Sequence, residues 1–166
     1  MSLPVRGGPE RRAEIATEIR ERTGIDERMI DRLVRAFYAR IREDGLLGPV
    51  FASRIKDWEP HLQKMCAFWS SVALMTGVYH GQPMQKHLPL PIDGRHFDRW
   101  LELFAATARA SCPPEAAALF IERSRRIAES LELGLAGANG VLLAKGERFR
   151  LAESERTVQA CPLLHR

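Results

Sequence analysis

The chain has 166 residues, 45% apolar and 28% charged, and its 25 Lys and Arg against 21 Asp and Glu leave a formal net charge of +4. That is enough for one domain with a real core plus tails, in a balance ordinary for soluble globular proteins. The charges mix in sign, as in Arg20-Glu21-Arg22, no window approaches the ~18 apolar residues of a membrane span, and Met1-Ser2-Leu3-Pro4 lacks a signal-peptide layout; these features argue against nucleic-acid and membrane partners and for a cytoplasmic protein.

Residues 1–12 are polar and rich in Pro and Gly, and are expected to be loose. A short charged helix is predicted over 13–22, closed by Gly24. Asp26 is placed to cap a second helix, in which Ile30, Leu33, Val34, Phe37, Tyr38 and Ile41 recur at steps of three and four. Gly45, Gly48 and Pro49 are expected to end it in a turn. Asp57 is the expected cap of the next helix, with Pro60 in its first turn, where a missing N–H costs nothing. Its inward face carries His61, Leu62, Met65, Phe68, Trp69 and Val72, and Gly77 is the expected stop.

Gly81, Pro83, Pro89 and Pro91 then leave room for little more than two helical turns, and His87 lies on that segment. Asp93 opens a helix with Phe97, Trp100, Leu101 and Phe104 on one face, broken by Ser111, Pro113 and Pro114. A last helix is predicted from about Glu115 to Leu133, with Phe120, Ile121, Ser124, Ile127, Ala128 and Leu131 inward and Gly134 as its stop. No stretch alternates with period two, and no internal repeat is present. The reading is an all-α domain over 24–135, an N-terminal extension over 1–23 and a flexible C-terminal extension over 136–166.

The chemistry sits in a mismatch. Large aromatics line the inward faces, and polar rings sit among them: Tyr38 after Phe37, His61 with Phe68 and Trp69, Trp100 with Phe97 and Phe104. A buried polar group without a partner costs roughly 1–3 kcal/mol, so three donors on three helices point to a bound polar group. A haem answers both needs, with an apolar body for the aromatics and an iron that takes an imidazole. His87, on a stiff segment between prolines, is the candidate ligand. Tyr, His and Trp can each donate a hydrogen bond to a diatomic ligand on the opposite side. Cys66, Cys112 and Cys161 form no Cys-x-x-Cys or Cys-x-x-Cys-His run, so zinc and redox motifs are absent and the haem would be held without covalent bonds. Cys66 reads as a small buried hydrophobe.

These residues carry a family resemblance. From about Asp26 to Leu133 the chain resembles the group III truncated haemoglobins of bacteria. The segments concerned are Phe37-Tyr38, Leu46-Leu47-Gly48-Pro49-Val50-Phe51, Trp58-Glu59-Pro60-His61, Phe68-Trp69, Thr76 to Pro83, His87-Leu88-Pro89-Leu90-Pro91 and Phe97-Asp98-Arg99-Trp100-Leu101. The resemblance implies a truncated globin fold, two helices over two around haem b. It implies His87 as proximal iron ligand and Tyr38, His61 and Trp100 as distal, ligand-stabilising residues. Haem packing is expected from Phe37, Phe51, Leu62, Met65, Phe68, Trp69, Phe97, Phe104 and Ile127. Lys86, His96 and Arg99 are candidates for the propionates, with His80 and His96 otherwise expected to be exposed.

Taken singly, each residue has a plainer reading: a histidine between prolines as a surface-loop residue, Tyr38 and His61 as satisfied core groups, Trp100 as packing. Three functions therefore stand side by side. The first is a globin that binds O2, NO and CO, with NO dioxygenation or peroxide turnover and a reductase partner left open. The second is a cofactor-free helical interaction module. The third is a haem sensor that signals through residues 138–166. No enzyme assignment follows.

Overall fold

The computed structural model describes residues 8–152. Seven helices follow in order, α1 (Pro9–Thr23), α2 (Glu27–Glu43), α3 (Leu47–Arg54), α4 (Trp58–Leu74), α5 (Pro83–His87), α6 (Gly94–Ser111) and α7 (Pro114–Ala138). No strand is present among the described residues.

Local chemistry explains most boundaries. Asp26 caps α2, its carboxylate accepting from the Met29 amide at 2.8 Å. Gly24 adopts the left-handed region, φ 69°, and its N–H returns to the Arg20 carbonyl to close α1. That helix begins at Pro9, not near residue 13, because Pro9 needs no N–H donor in the first turn and Glu10 suits the helix dipole. Asp93 caps α6 in a reciprocal box, its own amide donating to His96 Nδ1 at 3.1 Å.

Other boundaries differ from the sequence expectations. Gly48 and Pro49 do not form a turn but lie in α3, whose first amides, Leu46 and Leu47, donate to the Asp44 carboxylate. Asp57 occupies the cap position of α4 without a side-chain bond. The α4 stop is Met75, left-handed at φ 54°, two residues before Gly77. Gly134 lies inside α7, which continues to Ala138.

The helices pack in two layers. α2 lies against α4, α6 against α7, and the pairs meet through α2 with α6 and α4 with α7. α1 covers α4 and α7, and α5 packs on α7 alone among the helices. The main core gathers Ile30, Leu33, Phe37 and Ile41 of α2, Trp69 of α4, Phe104 of α6 and Phe120 of α7, with Ile127 half-buried at its edge. A second cluster joins Ile92, Phe97, Ala128, Leu135, Ala136 and Phe149, and Trp100 borders both. Phe149 is 2% exposed. Within the C-terminal extension, expected to be flexible, Phe149 finds a seat between α6 and α7 with Leu143 and Leu151 at its edge, while Leu142 is exposed. The rest of both extensions, residues 1–7 and 153–166 with Cys161, lies outside the described residues.

Candidate functional site

Two inward faces bring Tyr38 of α2 and His61 of α4 together. Their rings meet edge to face with centroids 5.1 Å apart. Phe51 and Trp58 close the group, at 5.7 and 5.9 Å from the tyrosine ring. Tyr38 is buried, and burial pushes its phenol well above the ordinary value, with Cys66 and Tyr79 adding to the shift. The hydroxyl therefore stays protonated and available as a donor, and it has no hydrogen-bond partner among the described residues.

His61 shows the same in sharper form. Its Nε2 is buried and without a hydrogen-bond partner among the described residues. Burial, and secondarily Lys64, lowers its pKa from 6.5, so the ring is neutral at neutral pH. An orphaned buried nitrogen is rare in folded proteins. It lies beside the Tyr38 ring as a buried polar atom that no described residue satisfies.

Trp100 is joined to this group through Phe37, which meets it edge to face at 5.5 Å and meets Tyr38 at 5.1 Å. The indole stacks on Phe104 at 5.4 Å, and Phe104 stacks on Trp69 at 4.7 Å. Leu62, Met65 and Phe68 are half-buried against the same core. Phe97 sits instead in the second cluster, with Phe149.

His87 stands apart from these rings. It ends α5, and its Nδ1 lies 2.6 Å from the Pro83 carbonyl oxygen, one turn back. A carbonyl can only accept, so Nδ1 carries the proton and Nε2 is left with its lone pair. Burial lowers the imidazole pKa against the opposing pull of that bond, which keeps the lone pair available. A histidine oriented by a carbonyl at one nitrogen and bare at the other is the arrangement a metal-bound imidazole takes.

Of the candidates for an anionic edge, Arg99 is held by Asp44 at 2.7 Å and by Glu102 at 3.0 Å. His96 is half-buried in the α6 capping box rather than exposed, because Asp93 engages it from the preceding turn. Lys86 and His80 are exposed. Cys66 is half-buried against the core, with Sγ 3.8 Å from an Asp31 carboxylate oxygen, and burial together with Asp31 raises its thiol to about 11.

Two features were not singled out from the sequence. Trp58 touches Tyr38, Phe51 and His61, and the Arg42 guanidinium covers it at 4.8 Å. Its place in the first turn of α4, three residues before His61, was the available signal. Gly134 is a notch: a Cβ there would stand 2.2 Å from Met84 Sδ. A side chain at 134 would require the end of the Met84 thioether to move, and Met84 belongs to the helix that carries His87.

Similarity to known proteins places the fold in a family. Residues 18–129 match the bacterial-like globin family. The chain is 33% identical over 113 residues, 65% of its own length and 89% of the other's, to the group 3 truncated hemoglobin ctb of Campylobacter jejuni. It is 30% identical over 79 residues, 46% of its length and 60% of the other's, to the group 2 truncated hemoglobin YjbI of Bacillus subtilis. Its fold matches the crystal structure of the group III truncated hemoglobin of C. jejuni with a TM-score of 0.64 at 33% identity, covering 67% of this chain and 91% of that one. It matches the hemoglobin of Chloroflexus aurantiacus with a TM-score of 0.57 at 26% identity, covering 68% and 95%. Fold and site together define a truncated globin. The chain belongs to the bacterial-like globin family, and its resemblance to the group III truncated haemoglobins holds in both sequence and structure. The family is one of haem- and gas-binding proteins.

Proposed function

We propose that the chain holds one non-covalent haem b through His87 Nε2 and retains a diatomic ligand, O2 foremost and NO or CO alike, beside Tyr38 and His61. His87 Nε2 would hold the haem, whose chemistry when bound would be the reversible binding of small diatomic ligands. The observation that carries the reading is the buried Nε2 of His61, without a hydrogen-bond partner among the described residues, beside the Tyr38 ring.

The residues divide the work. The Pro83 carbonyl fixes the His87 tautomer and ring, and Met84 in the Gly134 notch fixes the short helix beneath it. Tyr38 donates, being held protonated by burial, and His61 adds a neutral ring that can donate from one nitrogen. Trp100 N–H is a third donor placed through Phe37. Phe37, Phe51, Phe68, Trp69, Phe97, Phe104, Leu62, Met65 and Ile127 supply apolar packing and keep water out.

Donors beside the ligand favour tight retention, which suits detoxification or sensing over bulk transport. Turnover of NO or peroxide at this site would need an external reductase. Cys66 and Cys112 are free thiols, which suits a reducing compartment such as the cytoplasm. The test is titration of the purified protein with haem, followed by reduction and CO. A single equivalent should give a strong Soret band that CO shifts. A protein that stays colourless with haem supplied would overturn the reading and favour a cofactor-free helical module.

A further inference from the structure

The helix that carries His87 cannot hold itself in place. α5 has five residues, too few for an isolated helix to persist, and among the helices only α7 touches it. Its exit is the loop from Leu88 to Asp93. Leu90 N–H donates to the His87 carbonyl and Ile92 N–H to that of Leu90, while Pro89 and Pro91 fix their own φ angles. The loop is therefore stiff, and whatever holds its far end also bears on His87.

That far end is held by the C-terminal extension, beyond the matched residues 18–129. Gly94 donates its N–H to the Phe149 carbonyl at 2.8 Å and receives Arg148 on its own carbonyl at 3.0 Å. Asp93, fully buried, accepts the Leu151 amide at 3.2 Å. Arg148 also grips Glu132 of α7 at 3.0 Å and Asp98 of α6 at 2.7 Å. The Phe149 amide adds a bond to Glu132 at 2.9 Å. The Phe149 ring fills the cluster that contains Ile92, the last apolar residue of the loop. A Cβ at position 94 would lie 2.7 Å from Glu132 Oε1 and 2.4 Å from Arg150 Nη1, so glycine permits the close approach.

We propose that residues 148–151 form a strap that positions the His87 loop and so sets how firmly His87 holds the haem iron. The proposal rests on the haem reading above and goes beyond it, assigning Arg148 and Phe149 as positioning residues on the proximal side. The strap acts through Asp93 and Ile92 and touches neither Tyr38 nor His61.

The test uses the full-length, haem-loaded protein. The iron–histidine stretching band of the ferrous, ligand-free form is recorded by resonance Raman, and the rate of haem transfer to an excess of a haem-scavenging apoglobin is measured. Phe149→Ala and Arg148→Ala should shift or broaden the band and speed haem transfer about tenfold, the equivalent of about 1.4 kcal/mol. Arg148→Gln, a milder change should the others fail to fold, should move both readouts in the same direction. Arg126→Ala, which removes an exposed ion pair on α7, should move neither. Variants that melt earlier yet keep the wild-type band and transfer rate would overturn the strap and leave it a mere staple. A wild-type protein that takes up haem without any iron–histidine band would overturn the His87 assignment and the strap with it, a distinguishable failure.

Discussion

The Nδ1 of His87 lies 2.6 Å from the carbonyl oxygen of Pro83, and this single contact decides the character of the ring. It uses the N–H, orients the imidazole and leaves Nε2 as an electron-pair donor on a helix end that Met84 and Gly134 anchor to α7.

Tyr38→Phe separates function from stability. The hydroxyl has no hydrogen-bond partner among the described residues, so its loss should leave the denaturation midpoint unchanged or slightly raised. O2 dissociation from the haem-loaded protein should accelerate about tenfold, since a hydrogen bond to a partly charged acceptor is worth about 1.5–3 kcal/mol. Stopped-flow dissociation and urea unfolding on the same sample check both halves. An unchanged off-rate would remove Tyr38 from the site.

The histidines set a pH dependence. Burial lowers the pKa of His61 below its ordinary 6.5, and the same holds for His96, where Asp93 pulls the other way. Below about 6.5 the unfolded chain therefore binds protons that the folded chain refuses. Stability is full above that value and falls as pH drops through the folded pKa values. His61→Leu should flatten the decline in urea midpoint between pH 7 and 5, and should not lower the midpoint at pH 7, because it removes a buried nitrogen that has no partner among the described residues. A variant with the wild-type slope would count against the buried, neutral ring.

Much of this was legible in the sequence, and the exceptions have physical reasons. α2 and α6 were plain because an aspartate cap and apolar residues at steps of three and four agree. α3 was hidden because Gly48-Pro49 reads as a turn, yet Pro49 falls where a helix needs no donor and Asp44, five residues back, supplies the acceptor. Gly134 read as a stop because its partner, Met84, lies fifty residues away in the chain. Phe149 looked like tail because its neighbours in sequence are charged; its seat is made by Ile92, Phe97 and Leu135. The shared interior of Tyr38 and His61 could be inferred from helix faces. The missing partner at His61 Nε2 could not, since it depends on what every other helix brings near.

Met84→Ala should loosen the His87 helix without touching the distal group. Its side chain fills the notch at Gly134, so truncation leaves α5 resting on fewer contacts. Haem transfer to a scavenging apoglobin should speed by about thirtyfold, the equivalent of about 2 kcal/mol, the low end for a methionine lost to alanine. The ratio of O2 off-rates between Tyr38→Phe and its parent should be the same in either background, because separated sites add.

Asp93 gives a second acid window. Burial works against its ionisation, but the Arg95 side chain and the Leu151 and Arg95 amides outweigh that and hold its carboxyl at about 2. A depressed carboxylate contributes stability above its ordinary 3.8 that is lost as pH falls towards 2. Fluorescence-monitored acid unfolding should show a transition in that range, and Asp93→Asn should move its onset to higher pH. A coincident onset in both proteins would contradict the anchoring role of this carboxylate.

The most direct test of the account is the absorption spectrum of His87→Gly, ferric, ferrous and ferrous with CO, recorded with and without added imidazole. The wild type should show a strong Soret band that CO shifts. The variant should lose or alter that band and recover it when imidazole fills the space left by the side chain. A His87→Gly protein whose spectra match the wild type without imidazole would show that another residue holds the iron, and would contradict the central claim.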